Sequence, residues 1–133
     1  MQKIEHIGIA VKSFSASVPI FEKLLNCPCY KTEFVESEKA NTAFFQQGET
    51  KIELLESTDI NGIISRFIEK KGEGIHHIAF EVTDIDAEIG RLKKEGFMLL
   101  NETPKKGADN KLVCFLHPKS SNGVLIELCQ EIK

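Results

Sequence analysis

The sequence predicts an α+β fold in which two tandem β-α-β-β-β modules form a curved mixed sheet around a cleft. Three observations carry that expectation: an internal repeat, alternation within the repeated strands, and helical spacing in the segments between them. The run His6-Ile7-Gly8-Ile9-Ala10-Val11 returns 71 residues later as His77-Ile78-Ala79-Phe80-Glu81-Val82. Lys51-Ile52-Glu53-Leu54-Leu55-Glu56 returns 74 residues later as Leu125-Ile126-Glu127-Leu128-Cys129-Gln130. Each half therefore opens on a histidine strand and closes on a glutamate strand. His6 and Glu53 are 47 residues apart and His77 and Glu127 are 50 apart, so the halves are near-equal modules.

The first module spans about residues 1–58. After the histidine strand, residues 15–25 read as a helix, with Val18, Phe21, Leu24 and Leu25 at near-helical spacing and Ser15 as the N-cap. Pro19 is tolerable there only near the first turn, because proline lacks the N–H that a helix interior requires. Strands at about 29–35 and 41–47 precede the glutamate strand. A connecting helix over about 60–72 carries Ile64, Phe67 and Ile68 on one face and stops at Gly72. The second module, about 73–133, contains a cleaner helix. Asp84 or Asp86 caps it, Ile85, Ile89 and Leu92 recur at i, i+4 and i+7, and Gly96 follows a basic last turn of Arg91, Lys93 and Lys94. Strands at about 97–101 and 112–117 then lead to the second glutamate strand. One half of roughly 65 residues has a thin core, so the two modules are expected to make a single domain over 1–133.

Composition sets outer limits. With 133 residues, 41% of them hydrophobic and 28% charged, the chain is an ordinary globule rather than a disordered or fibrous one. No run approaches the length of a membrane span, and the N-terminus enters a strand pattern directly, so the expected location is cytoplasmic, with no membrane partner. A net charge of −3 gives no general attraction to nucleic acid, and an anionic ligand needs a local basic patch. The four cysteines, Cys27, Cys29, Cys114 and Cys129, lack zinc-finger spacing and are expected as reduced thiols.

Alternation assigns the polar residues to one face. Ile7, Ile9 and Val11 point one way and His6, Gly8 and Ala10 the other; Ile78, Phe80 and Val82 oppose His77, Ala79 and Glu81. In the closing strands, Ile52 and Leu54 oppose Glu53, and Ile126 and Leu128 oppose Glu127. The apolar set is the helix-covered core, and the other face collects two imidazoles and two carboxylates among small residues, leaving an open concave surface. A lone strand histidine is usually a hydrogen-bonded neighbour, but a duplicated and phased His-to-Glu pattern reads as a ligand set, His6, Glu53, His77 and Glu127, for a divalent transition metal. Four protein ligands leave a six-coordinate ion two positions for water or substrate, the arrangement of a catalytic centre. His76 faces away from His77 and is structural, and His117 is a loop contact.

The segments Glu5-His6-Ile7-Gly8-Ile9-Ala10-Val11, Thr50-Lys51-Ile52-Glu53-Leu54-Leu55-Glu56, Gly74-Ile75-His76-His77-Ile78-Ala79-Phe80-Glu81-Val82, and Phe115-Leu116-His117-Pro118-Lys119 followed by Gly123-Val124-Leu125-Ile126-Glu127-Leu128 resemble the vicinal oxygen chelate superfamily nearly end to end. That superfamily includes glyoxalase I, extradiol dioxygenases, antibiotic-resistance proteins and methylmalonyl-CoA epimerases, and the epimerases are the group most resembled. The resemblance implies metal ligation by His6, His77 and Glu127, with Glu53 at a fourth position where some epimerases have glutamine. It implies a divalent ion, Co2+ first, with Ni2+, Mn2+ or Zn2+ as alternatives. The implied activity interconverts (2R)- and (2S)-methylmalonyl-CoA through a metal-stabilised enolate, with Glu127 and Glu53 as acid/base groups.

Thr42 falls where some family members place a carboxylate proposed as a base, which leaves the second base open between Glu53 and, if the 36–42 loop folds over, Glu36 or Glu38. A His-Glu-His-Glu set also resembles glyoxalase I, acting on the methylglyoxal-glutathione hemithioacetal, and that is the alternative activity. A metal-free drug-sequestering protein is a third reading, disfavoured by the aligned His-Glu pairs. A homodimer is expected from the superfamily and from exposed sheet edges. For an acyl-CoA substrate, Lys105, Lys106 and Lys119 are the expected binding residues. With Lys111 they form a basic segment, balanced only by Asp109, that leads into the Glu127 strand. The same composition also fits a solvated lysine loop.

Overall fold

The computed structural model describes residues 1–133. It divides into two compact units, residues 6–76 in one and residues 77–133 with 1–5 in the other. Eight strands and three helices follow the chain as β1 (Ile4–Val11), α1 (Phe14–Leu25), β2 (Lys31–Val35), β3 (Ala40–Gln47), β4 (Thr50–Ser57), α2 (Ile63–Lys71), β5 (Gly74–Glu81), α3 (Ile85–Lys94), β6 (Lys105–Lys106), β7 (Lys111–Leu116) and β8 (Ile126–Glu131).

In the unit of residues 6–76, β1 lies parallel to β4, β4 antiparallel to β3, and β3 antiparallel to β2. The other unit repeats this, with β5 parallel to β8, β8 antiparallel to β7, and β7 antiparallel to β6. Each is a β-α-β-β-β module. Residues 1–5 belong with the second: Gln2 donates its N–H to the Glu81 carbonyl and the Glu81 N–H bonds back to Lys3. In each module one helix covers one face. Val18, Phe21 and Leu25 of α1 pack on Val11, Ala43, Phe45 and Leu54. Ile85, Ile89 and Leu92 of α3 pack on Val82, Cys114, Leu116 and Leu128.

The helix starts show what sequence spacing missed. The N-cap of α1 is Ser13, not Ser15, and Ser13 makes no side-chain cap bond. Its hydroxyl pairs with Ser15 Oγ, and the Glu56 carboxylate of β4 accepts the Phe14 N–H at 2.6 Å. A tertiary carboxylate has taken the task usually given to a local cap. Pro19 consequently lies in the helix interior rather than near its first turn. It is tolerated because Pro19 and Ser15, whose carbonyl loses its partner, are both exposed, on the side of the helix where water rather than the core is the neighbour. In α3 the cap is Asp84, whose carboxylate accepts from the Ala87 N–H at 3.1 Å, and Gly96 follows the helix with φ +93°.

The edge of the second module departs from expectation. Residues 97–101 form no strand: Leu99 makes one bridge to Leu116, and the ladder is interrupted before resuming at β6. Asn101 explains the break, since its side-chain oxygen takes the Phe115 N–H at 3.0 Å. Pro104, without an N–H, cannot restore the ladder before Lys105. The connecting helix α2 is also more than a connector. Ile64, Phe67 and Ile68 pack on Ala10, Ala40 and Leu55, covering part of the His6/Glu53 face that alternation alone left open. All four cysteines are free thiols, and burial pushes Cys114 up to about 11.

Candidate active site

The two His-Glu pairs are constructed alike. In the first module, Gly8 stands beside Glu53 in the parallel pair, and Phe44 of β3 is on the other side of Glu53. Gly8 has no side chain, which leaves room for the imidazole two residues earlier on the same face to reach the carboxylate. His6 Nε2 is 3.0 Å from Glu53 Oε2, and both residues are buried. In the second module, Ala79 stands beside Glu127 and Phe115 of β7 is on its other side. His77 Nε2 is 3.2 Å from Glu127 Oε1, again with both residues buried. The Phe115 ring meets the His77 ring edge-on, with centroids 5.9 Å apart.

These separations are those of a hydrogen bond, but they also fit ligation. Donors about 2.1 Å from a divalent ion and at right angles to one another stand roughly 3.0 Å apart. Imidazole with carboxylate is a donor set for Co, Ni, Mn or Zn rather than for a sulfur-seeking ion. The pairs therefore suit a metal in both spacing and chemistry.

The lysines divide. Lys105 pairs in register with Val113, which puts it on the His77/Glu127 face, and its Nζ lies 6.0 Å from the Phe115 ring centroid. Lys106 pairs with Leu112, on the opposite face, and is exposed. Lys119 is exposed in the short turn Pro118–Ser120, where its N–H bonds to His117 Nδ1 at 3.0 Å. His117 is thus a turn cap. His76 meets Phe67 edge-on at 4.9 Å, away from the His77 face. Thr42 is buried on the His6/Glu53 face and donates its hydroxyl to the Glu33 carbonyl.

Three features of these faces escaped the sequence reading. Phe44 and Phe115 flank the two glutamates, and the 71-residue repeat relates them. Glu33 lies opposite Thr42 in register, on the Glu53 face, with Lys31 3.5 Å away. Lys111 is buried on the His77/Glu127 face. The first was legible by extending the repeat, while the others required the pairing register.

Comparison with known proteins gives a consistent result. Residues 5–115 match the family model of the glyoxalase/bleomycin resistance protein/dioxygenase superfamily. An uncharacterized protein of Bacillus subtilis is 38% identical over 98% of this chain and 93% of its own. An ethylmalonyl-CoA/methylmalonyl-CoA epimerase of Cereibacter sphaeroides is 38% identical over 96% of this chain and 97% of its own. A crystal structure of a variant Streptomyces coelicolor methylmalonyl-CoA epimerase with 2-nitronate-propionyl-CoA superimposes with a TM-score of 0.92. It is 31% identical and covers 98% of this chain and 95% of its own.

Proposed function

The chain belongs to the glyoxalase/bleomycin resistance protein/dioxygenase superfamily and, within it, groups with the methylmalonyl-CoA epimerases, which are isomerases; from that premise we propose that it interconverts (2R)- and (2S)-methylmalonyl-CoA in a metal-dependent reaction through an enolate. The observation that carries the proposal is the duplicated pair, a buried imidazole against a buried carboxylate at 3.0 Å in one module and 3.2 Å in the other. Purely structural pairs have no need to keep the same neighbours, a small residue on one side and a phenylalanine on the other. We assign His6, Glu53, His77 and Glu127 to one divalent ion, Co2+ first and Ni2+, Mn2+ or Zn2+ as alternatives. A divalent ion held there supplies the Lewis acidity that lowers the energy of the enolate oxygen.

The chain's own groups handle the proton. Glu127 accepts the α-proton as the C–H bond breaks and the electron pair passes into the enolate. Glu53, which starts the cycle protonated and therefore not ligating, delivers its proton to the opposite face of that carbon, so the inverted product leaves with one carboxyl protonated and the other ionised, in exchanged roles. Solvent exchange resets both. Both glutamates are buried but not sealed, at 4% and 5% exposed, which limits water around them and still allows that exchange.

The acyl-CoA is bound in part by Lys105, on the His77/Glu127 face, with Lys106 and Lys119 as outer contacts. The protein works in the cytoplasm as a homodimer; no helix is long and apolar enough to cross a membrane. The deciding experiment assays methylmalonyl-CoA epimerisation and isomerisation of the methylglyoxal-glutathione hemithioacetal in parallel, with and without added Co2+. Turnover of the first, abolished by chelator and restored by Co2+, is the expected result. Turnover of only the second makes the protein a glyoxalase I, and metal-independent binding without turnover overturns both.

A further inference from the structure

Lys111 is the only lysine among the buried residues, at 8% exposed. It lies in β7 opposite Glu131, two residues before Val113 and four before Phe115, so its side chain shares the face of Val113, Phe115 and Glu127. Glu131 is exposed and makes no ion pair with it, and the Lys111 ammonium has no hydrogen-bond or ion-pair partner elsewhere. A buried ammonium without a counter-charge is costly to keep. No sealed polar atom lacks a partner, so the ammonium is not wholly closed off from solvent. The repeat sharpens the oddity. The residue 71 positions earlier is Ala40, at 1% exposed, packed with Ile64 of α2. Where the first module places a methyl group under a helix, the second places a cation. Lys105 approaches the same face from β6, above the apolar floor of Val113, Phe115 and Cys129. Two ammonium groups on one face repel each other, and an anion between them relieves both.

We infer that Lys111 is an anion-binding residue of the His77/Glu127 face, taking an oxygen of a ligand carboxylate or phosphate group, with Lys105 as its outer companion. That this anion belongs to an acyl-CoA rests on the function proposed above; the anion site itself does not.

The test is calorimetric titration of the purified protein and of Lys111→Met and Lys111→Arg with three ligands: methylmalonyl-CoA, propionyl-CoA, which lacks the free carboxylate, and CoA. Lys111→Met is expected to weaken methylmalonyl-CoA by roughly 10- to 100-fold, the scale of a lost charge-assisted hydrogen bond, while Lys111→Arg keeps most of the affinity. Its melting temperature is expected to be unchanged or raised, because an apolar isostere removes the buried charge, whereas a lysine needed only for structure lowers it when replaced. Loss confined to methylmalonyl-CoA identifies a carboxylate, and equal loss for all three identifies a CoA phosphate. If Lys111→Met does not fold, Lys111→Gln takes its place in the same titrations. Wild-type affinity of the neutral variant for all three overturns the inference. A wild-type protein that binds none of them overturns the acyl-CoA reading alone; malonate and inorganic phosphate then become the probes, and equal affinity of wild type and Lys111→Met for both removes the anion site as well.

Discussion

In the first module, the face that carries His6 and Glu53 continues into Ala10, Leu55 and Ala40, and α2 packs over them. In the second, the face that carries His77 and Glu127 continues into Ala79, Cys129 and Val113, a cluster completed by Phe115 and Leu125 with no helix in it, and ends at Lys111. The pairing register, the flanking phenylalanine and the buried His-Glu contact are the same in both. What differs is the next rung. A duplicated strand face can keep the same pair in both copies and diverge one step away, where one copy places an alanine under a helix and the other a buried lysine. The helix starts diverge similarly: α1 takes the Glu56 carboxylate from another strand, and α3 supplies its own Asp84.

The largest effect expected from breaking the equivalence is at the glutamates. Glu127→Gln should reduce epimerisation by about 100- to 10,000-fold, the range for loss of an acid/base group, and lower metal occupancy measured by elemental analysis; His77→Ala should do the same. Retained metal together with retained activity in both variants would sink the assignment. Glu53→Gln separates the modules more finely, because an amide oxygen still ligates but does not shuttle a proton. It should keep exchange of the α-proton of one enantiomer with D2O, followed by NMR, while losing inversion.

Core truncation should treat the modules alike. Leu54 and Leu128 are both fully buried, and either Leu→Ala change should cost about 2–5 kcal/mol in denaturant unfolding. Two separate transitions in either variant, rather than one, would mean that the modules unfold separately. The caps follow in size. Glu56→Ala and Asp84→Ala should each cost about 0.5–2 kcal/mol, whereas Ser13→Ala, with no cap bond to lose, should stay within about 0.5 kcal/mol.

Lys105→Glu should raise KM for methylmalonyl-CoA more at low than at high salt with little change in kcat, and Lys106→Glu, on the other face, should do so less. Equal effects from the two would show that facing is irrelevant to binding. The smallest effect at neutral pH concerns Cys114, which occupies the repeat position of Ala43, both fully buried. Burial raises its thiol from 9.0 to about 11. Between those values the unfolded chain has released a proton that the folded chain still holds, so stability falls as pH rises through 9 and levels off near 11. Cys114→Ala should flatten that part of the pH-stability curve measured by urea unfolding.

The sequence by itself determined the modules, because a repeat and a period of two survive without any knowledge of what pairs with what. His6, Glu53, His77 and Glu127 came out in phase for that reason, and so did α3, whose cap and core stripe are local. Tertiary structure decided whatever depended on a partner distant along the chain. Ser13 replaced Ser15 as the cap because a glutamate 42 residues from Phe14 satisfies the first helical N–H. The edge strand at 97–101 gave way because an asparagine side chain competes with the ladder. Lys105 and Lys106 look alike in sequence, yet the register of a two-residue strand sends them to opposite faces. Lys111 reads as one more surface lysine until β7 is placed beside β8, since burial of a charge depends on the neighbours that enclose it, and these are set by packing rather than by local spacing.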